Sequence, residues 1–338
     1  ISAGTMDAPG FLRVTVRSGN ANDTAAAAFE PEKIKAGLAE PEDFDAFWAD
    51  CVRRQKQIKD PVRLTPIPQF DTGKMKAFKV EVSTLDGEKI YGYLSVPKKD
   101  GKFPVVAYVP GASILINEPN TNWPARNVMY LIMNVHRIDP SNDPAVYGKQ
   151  KKSIIPLRYA GLPDREKYYY RNAILAVSEA IDAMARHPGW DGKHLVFKGA
   201  SQGGAFALFM GGLNRNLTAT ISEVSALCDH GGYLAGGRAP GWPLLYQQTG
   251  KNNALKLDEV MKMAGYFDGV NFAKRIRVPL LMTVGFKDTV CSPSSVYAAY
   301  NAAVTGKEII NDVDVGHGIS SGCAKREKLW LDPKLGQN

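Results

Sequence analysis

The stretch that decides the fold is HLVFKGASQGGAFALF, residues 194–209. A strand-like run, LVFK, turns into a helix-like run, GGAFALF, with Gly199-Ala200-Ser201-Gln202-Gly203 between them. A serine at so sharp a turn is forced into a strained backbone conformation. The positions two before and two after it must be small, because a Cβ there would meet neighbouring backbone. Gly204 adds room. The Ser201 hydroxyl is then held at the carboxyl edge of a sheet, beside a helix N-terminus whose dipole favours developing negative charge. The pentapeptide alone is weak; its strand–turn–helix setting makes Ser201 a candidate nucleophile.

Working outward, short and nearly continuous apolar runs recur from residue 103 on: FPVVAYV, HLVFKGA, ATISEVSA, VPLLMTVG and EIINDVDV. Helical patterns such as YYYRNAILAVSEAIDAMARH separate them. Strands buried on both faces and alternating with helices predict an α/β chain, a doubly wound and mostly parallel sheet. Two long interruptions, near 113–166 and 229–270, read as lid or binding insertions. Upstream, AFKVEVSTLDGEKIYGYLSVP alternates around a turn and predicts an antiparallel hairpin. PEDFDAFWADCVRR places Phe44, Phe47, Trp48, Cys51 and Val52 along one face of a helix that Pro41 opens. Residues 1–30 read as one edge strand, FLRVTV, and a linker, NANDTAAAAF, the remnant of a truncated β-module. Residues 31–338 read as the catalytic domain.

Composition narrows the function. At 338 residues, with 44% hydrophobic and 22% charged residues, the chain can bury a large core. No apolar run approaches the ~20 residues that span a bilayer. The net charge of +8 comes from 42 scattered basic residues, and KQKK at 149–152 is the longest cluster. That pattern describes a solvated face, not a nucleic-acid surface. Four cysteines, Cys51, Cys228, Cys291 and Cys323, form no CxxC pair, so a zinc or thioredoxin-type site has no support and no metal is expected. The first residues lack both an initiator methionine and a basic-then-apolar leader. A processed or cut chain is expected, with any targeting segment out of view.

Ser201 needs a base. Of His136, His187, His194, His230 and His317, only the last two follow it, and the order nucleophile, acid, histidine requires that. His317, in VDVGHGIS after the last strand, leaves room for an intervening acid; His230, in ALCDHGGY, does not. The acid is then Asp288, delivered by VPLLMTVGFKD at the preceding strand end, where it would orient the imidazole and stabilise its charged form. Its rivals Asp312 and Asp314 read as lying within the final strand, and Asp229 shares the weakness of His230. Asp229 and His230 are given no catalytic role, and Cys228 reads as a small core residue. Backbone N–H groups for an oxyanion are expected from Gln202 and from the loop after FPVVAYV. Pro110 cannot donate, which leaves Gly111, Ala112 or Ser113, with Ala112 the choice. Trp123, Tyr130, Tyr233, Trp242 and Tyr246 in the insertions offer flat faces for sugar rings or ordinary lid packing.

Together GASQGG, SALCDHGGYLAGG, VGFKDTVCSPSSVYAAYN and VGHG, in that order and spacing, resemble the acetyl xylan esterase and cephalosporin C deacetylase family of α/β-hydrolases, over about residues 31–330. The resemblance implies a serine esterase that removes short acyl groups, often acetyl from xylan or xylo-oligosaccharides, through an acyl-enzyme and without cofactor. It puts the triad on Ser201, Asp288 and His317. It also implies a homo-oligomer, since members are often ring-shaped. Where many members carry a tyrosine whose main-chain N–H serves the oxyanion hole, this chain has Ala112. Competing readings are a general short-chain esterase, a prolyl-oligopeptidase-like peptidase, for whose propeller the chain is too short, and a non-catalytic carbohydrate-binding module, which need keep no triad. The full-length enzyme is expected in the periplasm or outside the cell. There Cys291, three residues after the acid, and Cys323, six after the histidine, either form a disulfide that braces the two loops or stay as buried free thiols.

Overall fold

The computed structural model describes residues 4–112, 116–121, 127–140, 149–150, 154 and 156–337. A nine-stranded sheet runs in the order β11-β10-β9-β8-β6-β7-β5-β4-β3. Its strands are β3 (Val62–Pro66), β4 (Met75–Ser83), β5 (Lys89–Pro97), β6 (Phe103–Val109), β7 (Met129–Met133), β8 (Trp190–Ala200), β9 (Ala219–Glu223), β10 (Leu280–Gly285) and β11 (Lys307–Asp312). Neighbours from β7 through β11 pair parallel, while β3, β4 and β5 form an antiparallel edge. Every residue of β7, β9 and β10 is buried, as strands covered on both faces require.

Helices α1 (Phe44–Gln55), α2 (Tyr170–Arg186) and α3 (Gln202–Leu213) cover one face. They are joined there by α4 (Leu257–Gly265), α5 (Gly269–Ala273) and α6 (Pro293–Ala302). Helix α7 (Ser321–Lys334) lies on the other face, against Val106, Val196, Ile221, Leu281 and Ile310. The apolar face expected of α1 is buried through Phe44, Phe47, Trp48 and Cys51, and the Trp48 indole N–H donates to the Tyr266 carbonyl at 2.9 Å.

Two expectations fail. The first insertion contains β7, which slots between β6 and β5 in the middle of the sheet. Its apolar run VMYLIM sits among Pro, Asn and aromatic residues and is short enough to pass for loop. Only the gap between β5 and β6 makes it a strand. The second insertion carries α4 and the start of α5, with turns and loop over most of the rest. At the N-terminus, the alanine-rich stretch read as a linker is β2 (Ala21–Phe29), paired over its whole length with β1 (Gly10–Ser18). Alanine has little intrinsic preference for strands. Here Phe11 decides the matter by packing on Phe286 at 5.1 Å and on Tyr297 at 5.6 Å, which carries the hairpin onto α6 and the loop after β10.

Candidate active site

The chain reverses its direction of winding between β6 and β8, which are adjacent although β7 comes between them in sequence. A crevice opens at the carboxyl ends of strands at such a switch point. The loop carrying Ala112 leaves β6 there, and Ser201 caps β8. Ser201 has φ 57° and ψ −116°, the strained conformation that the pentapeptide predicts. The glycine positions are equally constrained. A Cβ on Gly199 would lie 2.3 Å from the Gly203 carbonyl oxygen, and one on Gly203 would lie 1.9 Å from that of Val109. The strain is held by two straps: Ser201 N–H donates to the Glu223 carbonyl at 2.9 Å, and Ala226 N–H donates to the Ser201 carbonyl at 3.0 Å.

Three side chains from three strand ends meet. His317 Nε2 lies 2.9 Å from Ser201 Oγ, and His317 Nδ1 lies 2.8 Å from Asp288 Oδ2. Asp288 is fully buried at its carboxylate, and its other oxygen accepts the N–H groups of Val290 at 2.7 Å and Cys291 at 3.0 Å. With both lone-pair sites of Oδ1 taken by backbone donors, Oδ2 faces the imidazole in one orientation only. Nδ1–H therefore donates to it, and Nε2 is left as the acceptor that faces the Ser201 hydroxyl.

The rivals are accounted for elsewhere. Asp312 ends β11 and accepts the Ser320 N–H at 2.7 Å, while Asp314 lies past the strand and pairs with Lys287 at 3.2 Å. Asp229 takes the Gly37 N–H at 2.6 Å and the Arg238 guanidinium at 3.0 Å. His230 is buried, and burial pushes its pKa down to about 4, so its ring stays neutral.

Gln202 is the first residue of α3, so its backbone N–H is one of the helix's free donors. Its side-chain oxygen accepts the Tyr170 hydroxyl at 2.9 Å, which turns the amide away from the serine. Gln202 and Ala112 together line a small cavity of about 10 Å³, of the order that one water occupies. Its other walls include His136, Ile154, Tyr170 and Trp242. Ser113, the remaining candidate donor, and Trp123 lie outside the described residues. His136 precedes Ser201 in the chain and so falls outside the nucleophile, acid, histidine order. In the fold it is buried, hydrogen-bonded through Nδ1 to the Tyr169 hydroxyl at 2.6 Å, and held neutral by burial, with its pKa pushed down to about 4. Of the candidate sugar faces, Tyr130 is buried in β7, while Tyr233 stands 49% exposed and stacks on Tyr246 at 4.5 Å.

All four cysteines are free and buried, so of the two alternatives for Cys291 and Cys323 the structure has the free thiols. Cys291 packs with the core on the α1–α3 face and Cys323 with the core under α7, on opposite faces of the sheet. Instead the Cys291 thiol lies within 4.8 Å of the Asp288 carboxylate and the His317 ring, and sequence order gave no sign of its nearness to His317. Burial raises its pKa well above the ordinary thiol value, with Asp288 adding to the effect, so it stands there as a neutral thiol. Asp288, Cys291 and His317 offer metal-type ligand atoms within 4.8 Å of one another. An ion there would have to displace the hydrogen bond between the carboxylate and the imidazole, and it would meet a thiol that holds its proton.

The fold and this arrangement define the class, an α/β-hydrolase with a serine, histidine and aspartate in hydrogen-bond contact. Within that class the chain belongs to the acetyl xylan esterase family, since the family model Acetyl xylan esterase (AXE1) matches residues 30–330. It is a carboxylic ester hydrolase. It is 34% identical over 346 residues to Acetyl esterase Axe7A of Xylanibacter ruminicola, an alignment covering 99% of this chain and 77% of that protein. Two solved structures share the fold. The acetyl xylan esterase of Paenibacillus sp. R4 superposes with a TM-score of 0.77 at 22% identity, covering 90% of this chain and 98% of that one. Acetyl Xylan Esterase 1 of Thermoanaerobacterium sp. JW/SL YS485 gives 0.74 at 23%, covering 89% and 96%.

Proposed function

We propose that this enzyme releases acetate from acetylated xylan fragments, with Ser201 as nucleophile, His317 as general base and acid, and Asp288 as the residue that orients the imidazole. Ser201 Oγ attacks the acetyl carbonyl as His317 Nε2 takes its proton. The carbonyl oxygen becomes an oxyanion that accepts the N–H groups of Gln202 and Ala112. Collapse of this intermediate expels the sugar hydroxyl, to which His317 returns the proton. Water then repeats the sequence on the acetyl-enzyme and frees the acid.

The observation that carries the reading is the unbroken hydrogen-bond chain from Ser201 through His317 to a fully buried Asp288, at 2.9 and 2.8 Å. The family match and the relative named for acetyl ester cleavage support a small acyl group. An acetylated polysaccharide is met outside the cytoplasm, which is where we place the chain. Among the described residues no helix is long and apolar enough to cross a membrane.

The test is acetate release from acetylated xylo-oligosaccharides by the wild type and by Ser201→Ala, with a butyrate ester and a peptide amide alongside. Loss of at least ~10⁴-fold in the variant is expected, with little action on butyrate and none on the amide. Activity surviving in Ser201→Ala removes the nucleophile. Butyrate turned over as fast as acetate removes the small-acyl reading.

A further inference from the structure

Behind the elbow, on the face that α7 covers, three ionisable side chains meet in the apolar layer. Lys198 lies on β8, three residues before Ser201. Glu223 ends β9, and its own carbonyl is the strap that takes the Ser201 N–H. Glu327 lies on α7, in the middle of that helix's buried stripe of Cys323, Glu327 and Leu331. A carboxylate at the centre of a stripe at i, i+4, i+8 is where helix packing would otherwise place an aliphatic residue. Lys198 Nζ hydrogen-bonds to Glu327 Oε1 and lies 3.5 Å from Glu223 Oε1. Side-chain exposures are 19%, 6% and 5% for Lys198, Glu223 and Glu327.

One cation faces two carboxyl groups, so a fully ionised cluster would leave a net negative charge in the interior. Glu327 Oε2 is buried with no hydrogen-bond partner among the described residues. A proton on Glu223 removes the excess charge and lets its carboxyl donate to the neighbouring Glu327 carboxylate. In keeping with this, burial, then the hydrogen bond with Glu327, push the Glu223 pKa up to about 8 against the pull of Lys198. Burial opposes the charge on Lys198, but Glu223 and Glu327 outweigh it and raise its pKa. The other titratable groups facing the cluster are Tyr108 of β6, Tyr130 of β7 and Cys323 of α7, all raised chiefly by burial and so neutral here.

The cluster joins the parts that must stay in register for the proposed chemistry. Helix α7 begins directly after the His317 loop, and Ser320 caps it by accepting the Cys323 N–H at 3.1 Å. We infer that Lys198, Glu223 and Glu327 form a proton-sharing clamp that positions His317 against Ser201 and sets the alkaline limit of the reaction. When Glu223 loses the shared proton, two buried carboxylates compete for one ammonium. Their repulsion loosens α7 and lengthens the Ser201–His317 contact. A histidine base alone gives no such limb, since it only becomes more available as pH rises. The three act as positioning residues, because none touches the serine or histidine side chain. The inference rests on the triad reading above.

The test is the rate on a small acetate ester from pH 6 to 10 for the wild type, Glu223→Gln and Glu327→Gln, with Ser201→Ala as control. In the wild type, kcat falls with a midpoint near pH 8 while KM holds. Glu223→Gln imitates the protonated form at every pH. Glu327→Gln lets Glu223 ionise beside Lys198 as a simple pair. Each keeps the neutral-pH rate within about threefold and loses the alkaline limb. In the wild type alone, amide exchange of α7, corrected for intrinsic pH dependence, accelerates relative to that of α3 as pH passes 8. That measurement stands even where a variant fails to fold. A Ser201-dependent rate that stays flat to pH 10, a limb unchanged in both glutamine variants, or an unaltered exchange ratio overturns the clamp. Activity surviving in Ser201→Ala overturns the triad instead.

Discussion

Replacing Asp288 by asparagine tests the site at the atom where its geometry is tightest. Asp288 Oδ1 accepts two backbone N–H groups, from Val290 and Cys291, so the asparagine must place its carbonyl oxygen there. Its amide nitrogen then occupies the Oδ2 position, 2.8 Å from His317 Nδ1. Two N–H donors cannot face each other, so the imidazole shifts its proton to Nε2 and accepts the amide at Nδ1. Nε2–H now points at Ser201 Oγ, where an acceptor is needed. The pocket keeps its shape and the fold keeps its hydrogen bonds, so stability should change little. An acid-to-amide change that imposes the wrong tautomer costs ~10⁴ in kcat, which is ~5.5 kcal/mol of transition-state stabilisation. The assay is acetate release under saturating substrate, with thermal unfolding as a check on folding. KM should move far less than kcat. A folded Asp288→Asn enzyme within tenfold of the wild type would mean that this carboxylate does not set the tautomer, and the assignment would fall.

Two further outcomes follow from particular contacts. Gly203→Ala would put a Cβ 1.9 Å from the Val109 carbonyl oxygen, backbone that cannot swing away, so the elbow must open. The expected cost is ~2–4 kcal/mol of stability together with most of the activity, read by urea unfolding and acetate release; a variant with wild-type values of both would refute the close approach. Glu223, its folded pKa held near 8 against an ordinary 4.5, keeps its proton when the unfolded chain has lost it. The folded state thus binds more protons between those values, and the stability present below 4.5 is lost as pH rises to 8. His136 and His230, lowered to about 4, add stability as the unfolded histidines lose their protons around 6.5, and Asp268, raised to about 6, loses stability over a similar range. The wild type and Glu223→Gln share these contributions, so as pH rises through 8 the melting temperature of the wild type should fall relative to that of Glu223→Gln. Parallel curves would place the proton elsewhere.

What the chain order alone determines here is the identity and sequence of the three triad candidates. Ser201, Asp288 and His317 are legible because each requirement is local. The serine needs small neighbours in a strand–turn–helix setting, and the acid and base must each follow a strand in a set order. The amphipathic face of α1 and the parallel strands are legible for the same reason, since periodicity belongs to one segment at a time. The tertiary structure decides whatever depends on a partner distant in sequence. Alanine-rich β2 becomes a strand because β1 and Phe11 hold it, and β7 becomes one because β5 and β6 leave a place for it. Cys291 and Cys323 follow the acid and the base closely in sequence, yet the sheet passes between them and no bridge can form. The thiol of Cys291 near His317, the tyrosine that holds Gln202, and the meeting of Lys198, Glu223 and Glu327 join residues brought from separate strands and helices. Hydrogen bonds and buried charges are properties of atoms in contact, and the fold alone sets which atoms those are.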